Sequence, residues 1–151
     1  MNILFVCTGN TCRSPMAEAL LREKAERIGI DLNIRSAGIF ALDGSRASRG
    51  AIMAMRNIRS LGSHRAMMLD RSLINWADLV LVMSASQLAR INDIYPESEE
   101  KTYLLKSFAF GRDEDVEDPY GGSDSFYAAV RDELDEAVEY ILKKITGREE
   151  V

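Results

Sequence analysis

Four short strand-like segments punctuate the chain, and stretches of helical periodicity separate them. Ile3–Val6 is continuously apolar rather than alternating, the pattern of a strand buried on both faces. Asp31–Ser36, Asp78–Met83 and Lys101–Leu105 predict three further strands. After the first run, Ala17, Leu21, Ala25 and Ile28 share one face of a helix predicted from Pro15 to about Ile28. Ser14 reads as its N-cap, Pro15 as its first residue and Gly29 as its stop. Ala51–Ile58 and Ala85–Ile94 read as helices, the second closed by Tyr95-Pro96. The last helix is predicted from about Ser123 to Thr146. Its apolar residues Phe126, Val130, Leu134, Val138, Ile141 and Ile145 recur every three or four positions, and Gly147 closes it. Phe40–Ser48 and the acidic Asp113–Asp118 read as loops.

This alternation predicts the α/β class: a single doubly wound domain over residues 1–151, with a four-stranded parallel sheet and helices on both faces. Ligands of such sheets bind beyond the C-terminal ends of the strands. The loop after the first strand, Cys7-Thr8-Gly9-Asn10-Thr11-Cys12-Arg13-Ser14, is therefore the expected site.

Composition narrows the chemistry. The 151 residues are 46% hydrophobic and 28% charged, the balance of a soluble globule. A net charge of −5 argues against nucleic acid as a partner. The longest apolar runs are too short to span a bilayer, so no membrane partner is expected and the cytoplasm is the expected compartment. Two cysteines and one histidine are too few for a structural zinc site, and no metal is expected. A reactive cysteine would need activation from something other than a histidine.

The loop supplies that activation. Thr8 to Arg13 carry six backbone N–H groups, uninterrupted by proline. Gly9 permits, and Asn10 tolerates, the left-handed turn that winds such a loop into a nest of donors at a helix N-terminus. Arg13 adds a planar fork suited to phosphate oxygens. The predicted ligand is a tetrahedral oxyanion. The same donors would stabilise a thiolate at Cys7, which could displace a leaving group from phosphorus and form a cysteinyl-phosphate for water to hydrolyse. Cys12 reads either as a buried filler or as the partner of Cys7 in a reversible disulfide.

With these residues in view, Val6 to Pro15 resembles the phosphate-binding signature of the low-molecular-weight protein-tyrosine phosphatase family. Ser36-Ala37-Gly38, Ser63-His64-Arg65-Ala66, the Ala77–Met83 strand and Asp118-Pro119-Tyr120 extend the resemblance in order along nearly the whole chain. It implies Cys7 as nucleophile, Arg13 as phosphate clamp and Asp118 as general acid, then base, with Thr8 to Arg13 binding the phosphate. The residues alone do not separate Asp118 from Asp113, Asp115 or Glu117. The resemblance also implies that Ser14 hydrogen-bonds Cys7, that Asn10, Ser36 and His64 hold the loop's shape, and that Tyr120 and Phe40 wall the substrate slot. No cofactor is implied. The implied partners are phosphorylated proteins, with inorganic phosphate as product, and the chain is expected to be a monomer.

Thr11 bears on the substrate. Phosphotyrosine enzymes of this family usually carry a bulky aliphatic residue there, and Thr-Gly-Asn-Thr-Cys resembles the bacterial protein-arginine phosphatase branch. A hydroxyl can hydrogen-bond a phosphoguanidinium or position water, whereas isoleucine presents only apolar surface. Thr11 also reads as a loop residue tolerated for its backbone, and Tyr120 fits a phenyl ring. The reading leans to phosphoarginine with some phosphotyrosine activity. The alternative is a strict phosphotyrosine enzyme. Thr8–Thr11 also resembles the loop of a flavodoxin carrying FMN, but that reading leaves Cys7, Arg13 and Asp118 unexplained. A thioredoxin-coupled arsenate reductase needs cysteines beyond Cys12, and the chain has none.

Overall fold

The computed structural model describes residues 1–151. Four parallel strands form one sheet: β1 (Asn2–Cys7), β2 (Asn33–Gly38), β3 (Leu79–Val82) and β4 (Thr102–Leu104), in the order β2-β1-β3-β4. The helices are α1 (Arg13–Arg27), α2 (Arg49–Met55), α3 (Arg71–Trp76), α4 (Ala85–Ile94), α5 (Leu105–Phe110) and α6 (Asp124–Thr146), with a 3₁₀ segment at Pro96–Lys101.

Because successive strand residues point to opposite faces, β1 feeds two cores. Ile3, Phe5 and Cys7 face a large cluster with residues of α1, α5 and α6. Leu4 and Val6 face a smaller one with Leu73 and Ile74 of α3 and Ile91 of α4. Strand β3 divides in the same way, Leu79 and Leu81 to one side, Val80 and Val82 to the other. Burial on both faces explains why these strands read as continuous apolar runs. Phe5 is wholly buried, and its truncation to alanine should cost about 3–5 kcal/mol.

The sequence-based boundaries need correction at the start of α1. Arg13 is its first residue, Cys12 precedes it without a side-chain cap, and Ser14 lies inside the helix rather than capping it. The Ser14 hydroxyl is instead engaged with Cys7 and Asn10. Helices α3 and α5 fall where no element was expected. Six residues are too few to show a period, although Asp70 caps α3 and Gly111, at φ 69°, ends α5.

Candidate active site

The loop between β1 and α1 stands at the C-terminal end of the central strand pair. No backbone N–H from Thr8 to Ser14 donates to a protein acceptor. Asn10 holds this shape. Its φ of 56° is the only left-handed non-glycine conformation in the chain. Its Nδ2 donates to Ser14 Oγ at 2.8 Å and Ser36 Oγ at 2.9 Å, and its Oδ1 accepts from Met67 N at 2.9 Å. His64 Nε2 donates to the Asn10 carbonyl at 2.8 Å, which fixes the proton on that nitrogen. Ser36 passes the chain outward, donating to Glu18 at 2.7 Å, which also pairs with Arg22 at 3.0 Å. Gly38 is required by space: a Cβ there would sit 2.5 Å from the Thr8 carbonyl and 2.9 Å from Asn10 N. The Ser36-Ala37-Gly38 segment thus supports the loop through one hydroxyl and one missing side chain.

Cys7 is buried, and its Sγ lies 2.9 Å from Ser14 Oγ. Asn10 already donates to that hydroxyl, so its hydrogen is free to point at the sulfur. A cavity of about 210 Å³ opens above, lined by Cys7, Thr8, Gly9, Thr11, Cys12, Arg13, Asp118 and Tyr120. Arg13 is 6% exposed; Nη1 donates to the Val116 carbonyl at 3.0 Å, and Nη2 lies 3.7 Å from Asp118 Oδ2. The acidic loop is itself anchored, with Val116 N donating to the Met83 carbonyl at 2.8 Å and Ala85 N to Asp115 Oδ1 at 2.8 Å. Asp118 accepts from Tyr120 N at 3.1 Å, and its side chain is about half exposed at the rim. Of the acidic residues left open by the sequence, only Asp118 lines the cavity.

The Asn10 side chain is buried and consumed by the loop's internal hydrogen bonds, while its N–H stays among the unpaired donors. One expectation changes: Phe40 does not wall the slot. Its N–H donates to the Thr8 carbonyl at 2.9 Å, but its ring is 65% exposed. That ring lies 5.4 Å from the Arg90 guanidinium, over a separate cleft of about 80 Å³ with Met68 and Ile94.

Other supporting residues had no sequence signal. Gln87 Nε2 donates to Thr8 Oγ1 at 3.0 Å. Beneath the loop, Cys12 Sγ lies 3.1 Å from Ser48 Oγ and 3.4 Å from Tyr127 Oη. Burial, reinforced by the Cys12 contact, pushes the Tyr127 phenol up to about 12. Gly50 makes room for that ring, since a Cβ there would lie 2.3 Å from it. Both cysteines are free thiols.

A loop of unpaired N–H donors at the end of a doubly wound sheet, with a sulfur at its base, is the arrangement expected of a phosphatase. The family model for low molecular weight phosphotyrosine protein phosphatase matches residues 2–150, and the chain belongs to that family. A protein-arginine-phosphatase of Geobacillus stearothermophilus is 43% identical over 143 residues, covering 95% of either chain. A solved structure of the YwlE arginine phosphatase, a serine variant with its active-site serine phosphorylated, superposes with a TM-score of 0.94. It is 41% identical and covers 97% of this chain and 96% of its own. A low molecular weight protein tyrosine phosphatase from T. tengcongensis superposes with a TM-score of 0.92 at 39% identity, covering 95% of this chain and 99% of its own. No helix is long and apolar enough to cross a membrane.

Proposed function

We propose that this chain, acting as one catalytic domain, removes phosphate from phosphoarginine side chains of proteins, with a lesser activity on phosphotyrosine. The observation that carries the reading is the cavity itself, in which the Cys7 sulfur lies at the base of unpaired N–H donors with Arg13, Asp118 and Thr11 around it. Cys7 attacks phosphorus and the phosphoryl group passes to sulfur. Its oxygens are held by the N–H groups of residues 8–13 and by Arg13, donors already oriented before the reaction. Ser14 donates to the sulfur as it becomes a thiolate and later a leaving group. Asp118 protonates the departing nitrogen or oxygen, then takes a proton from the water that splits the cysteinyl-phosphate. The phosphorylated active-site serine of the related arginine phosphatase supports transfer to this position.

The substrate preference rests on polarity. Thr8, Thr11 and Asp118 line the cavity, and two hydroxyls and a carboxylate suit the N–H groups of a phosphoguanidinium. The relatives named protein-arginine-phosphatase support the same reading. Tyr120, 74% exposed, flanks the entrance for either leaving group. The enzyme works in the cytoplasm, a reducing compartment that would keep Cys7 a thiol. The test is the ratio of kcat/KM on phosphoarginine and phosphotyrosine peptides of one sequence, for the natural protein and for Thr11→Ile. The natural protein should favour phosphoarginine, and Thr11→Ile should lower that ratio by about tenfold or more, the effect of removing a hydrogen bond from a polar leaving group. A natural protein that favours phosphotyrosine, or a ratio indifferent to Thr11, contradicts the assignment.

A further inference from the structure

Gln87 lies outside the loop yet fixes the hydroxyl of Thr8, a residue that lines the cavity. Its side chain is buried, 5% exposed, on the first turn of α4. Its Oε1 accepts from the backbone N–H groups of Met83 and Ser84, each at 3.0 Å. Two N–H donors converging on one atom assign that atom as oxygen, so the amide has no freedom to flip. Its nitrogen then faces Thr8 and donates to Oγ1 at 3.0 Å. One lone pair of the Thr8 hydroxyl is therefore taken, and the remaining lone pair and hydrogen are held in orientation on a residue that lines the cavity.

We infer that Gln87 is a positioning residue for substrate selection, acting through Thr8, whose hydroxyl is an oriented acceptor for a guanidinium N–H. The inference rests on the phosphoarginine reading above. A phosphoguanidinium brings several N–H donors into a confined space, and each one left unpaired there opposes binding. A phenyl ring brings none. An acceptor already fixed by Gln87 favours the guanidinium more than a freely rotating hydroxyl does, because no rotor has to be ordered on binding. No local sequence pattern marks the pair, since Gln87 and Thr8 are 79 positions apart.

Two substitutions at Gln87 separate positioning from simple support. Gln87→Met removes the donor to Thr8 and also the acceptor for Met83 and Ser84. Gln87→Glu keeps that acceptor and obliges the Thr8 hydroxyl to turn its hydrogen toward residue 87, leaving its lone pairs to the cavity. Steady-state kinetics on phosphoarginine and phosphotyrosine peptides of one sequence give the readout, the ratio of the two kcat/KM values. Gln87→Met should lower the phosphoarginine-to-phosphotyrosine ratio by about fivefold, the worth of one modest hydrogen bond, while Gln87→Glu should hold or raise it. In a Thr8→Val background, Gln87→Met should lower the ratio no further. An unchanged ratio in Gln87→Met, a lowered ratio in Gln87→Glu, or a further fall in the Thr8→Val background overturns the inference. An unsubstituted enzyme with no phosphoarginine activity instead overturns the substrate reading, and this inference with it.

Discussion

Arg13 and Val116, 103 positions apart, are joined by a hydrogen bond of 3.0 Å from the guanidinium Nη1 to the main-chain carbonyl. The bond ties the oxyanion loop to the segment that carries Asp118, and it leaves the other end of the guanidinium 3.7 Å from that carboxylate. One side chain thus orients both halves of the site. Lysine retains the charge but has no second arm and no planar fork. Arg13→Lys should therefore lower kcat/KM by about 10²- to 10³-fold, the usual cost of one misplaced oxyanion donor, and should affect kcat more than the Kd for inorganic phosphate. Steady-state kinetics together with phosphate titration separate the two. An equal loss in both would mean that Arg13 contributes charge alone.

Cys7→Ser tests the proposed nucleophile. The neighbouring Ser14 hydroxyl and the free N–H donors remain, so inorganic phosphate should still bind, with a Kd within about threefold of the natural protein's. Steady turnover should fall by at least about 10³-fold, because an alkoxide is far harder to generate and to expel than a thiolate. Substantial residual turnover would exclude a cysteinyl-phosphate intermediate.

Asp118→Asn removes the proposed proton donor while preserving shape and the acceptor for Tyr120 N. Reactions whose leaving group needs protonation should slow by about 10²-fold or more, and an activated aryl phosphate by much less. A plot of log kcat/KM against leaving-group pKa should therefore steepen in the variant. Parallel plots would move the acid elsewhere in the 113–118 loop.

What the sequence discloses depends on how local the cause is. The two-faced burial of β1 and β3 leaves continuous apolar runs, and Cys7, Arg13 and Ser14 lie within one turn of loop and helix, so both were legible. Ser14 looked like a cap because serine before proline commonly is one. The helix instead begins at Arg13, and the Ser14 hydroxyl is drawn to Cys7 and Asn10 by a tertiary fold that no local pattern encodes. Phe40 belongs to a loop whose path is set by its backbone bond to Thr8 and by Arg90 from α4, so its aromatic character did not reveal which way the ring faces. Gln87, Ser48 and Tyr127 act on the loop from 79, 36 and 115 positions away. Their spacing carries no period, and only Gly50, kept clear for the Tyr127 ring, marks the place where one of them packs.

Tyr127 carries a consequence for stability at high pH. Its phenol is buried and touches the Cys12 sulfur, and burial holds its pKa at about 12 against an ordinary value of 10.0. The native state therefore keeps the proton in a range where the unfolded chain has lost it. Below pH 10 the two states bind that proton equally, and the native protein has its full stability. From pH 10 to about 12 the unfolded state binds fewer protons, so stability falls as pH rises. At pH 11 the loss traceable to this one group should be on the order of 1 kcal/mol. Tyr127→Phe has no phenol to ionise and should lack that component. Urea unfolding at pH 8 and pH 11 measures it directly: the natural protein should lose more stability between the two than Tyr127→Phe does, and identical losses would show that the buried phenol does not couple to folding.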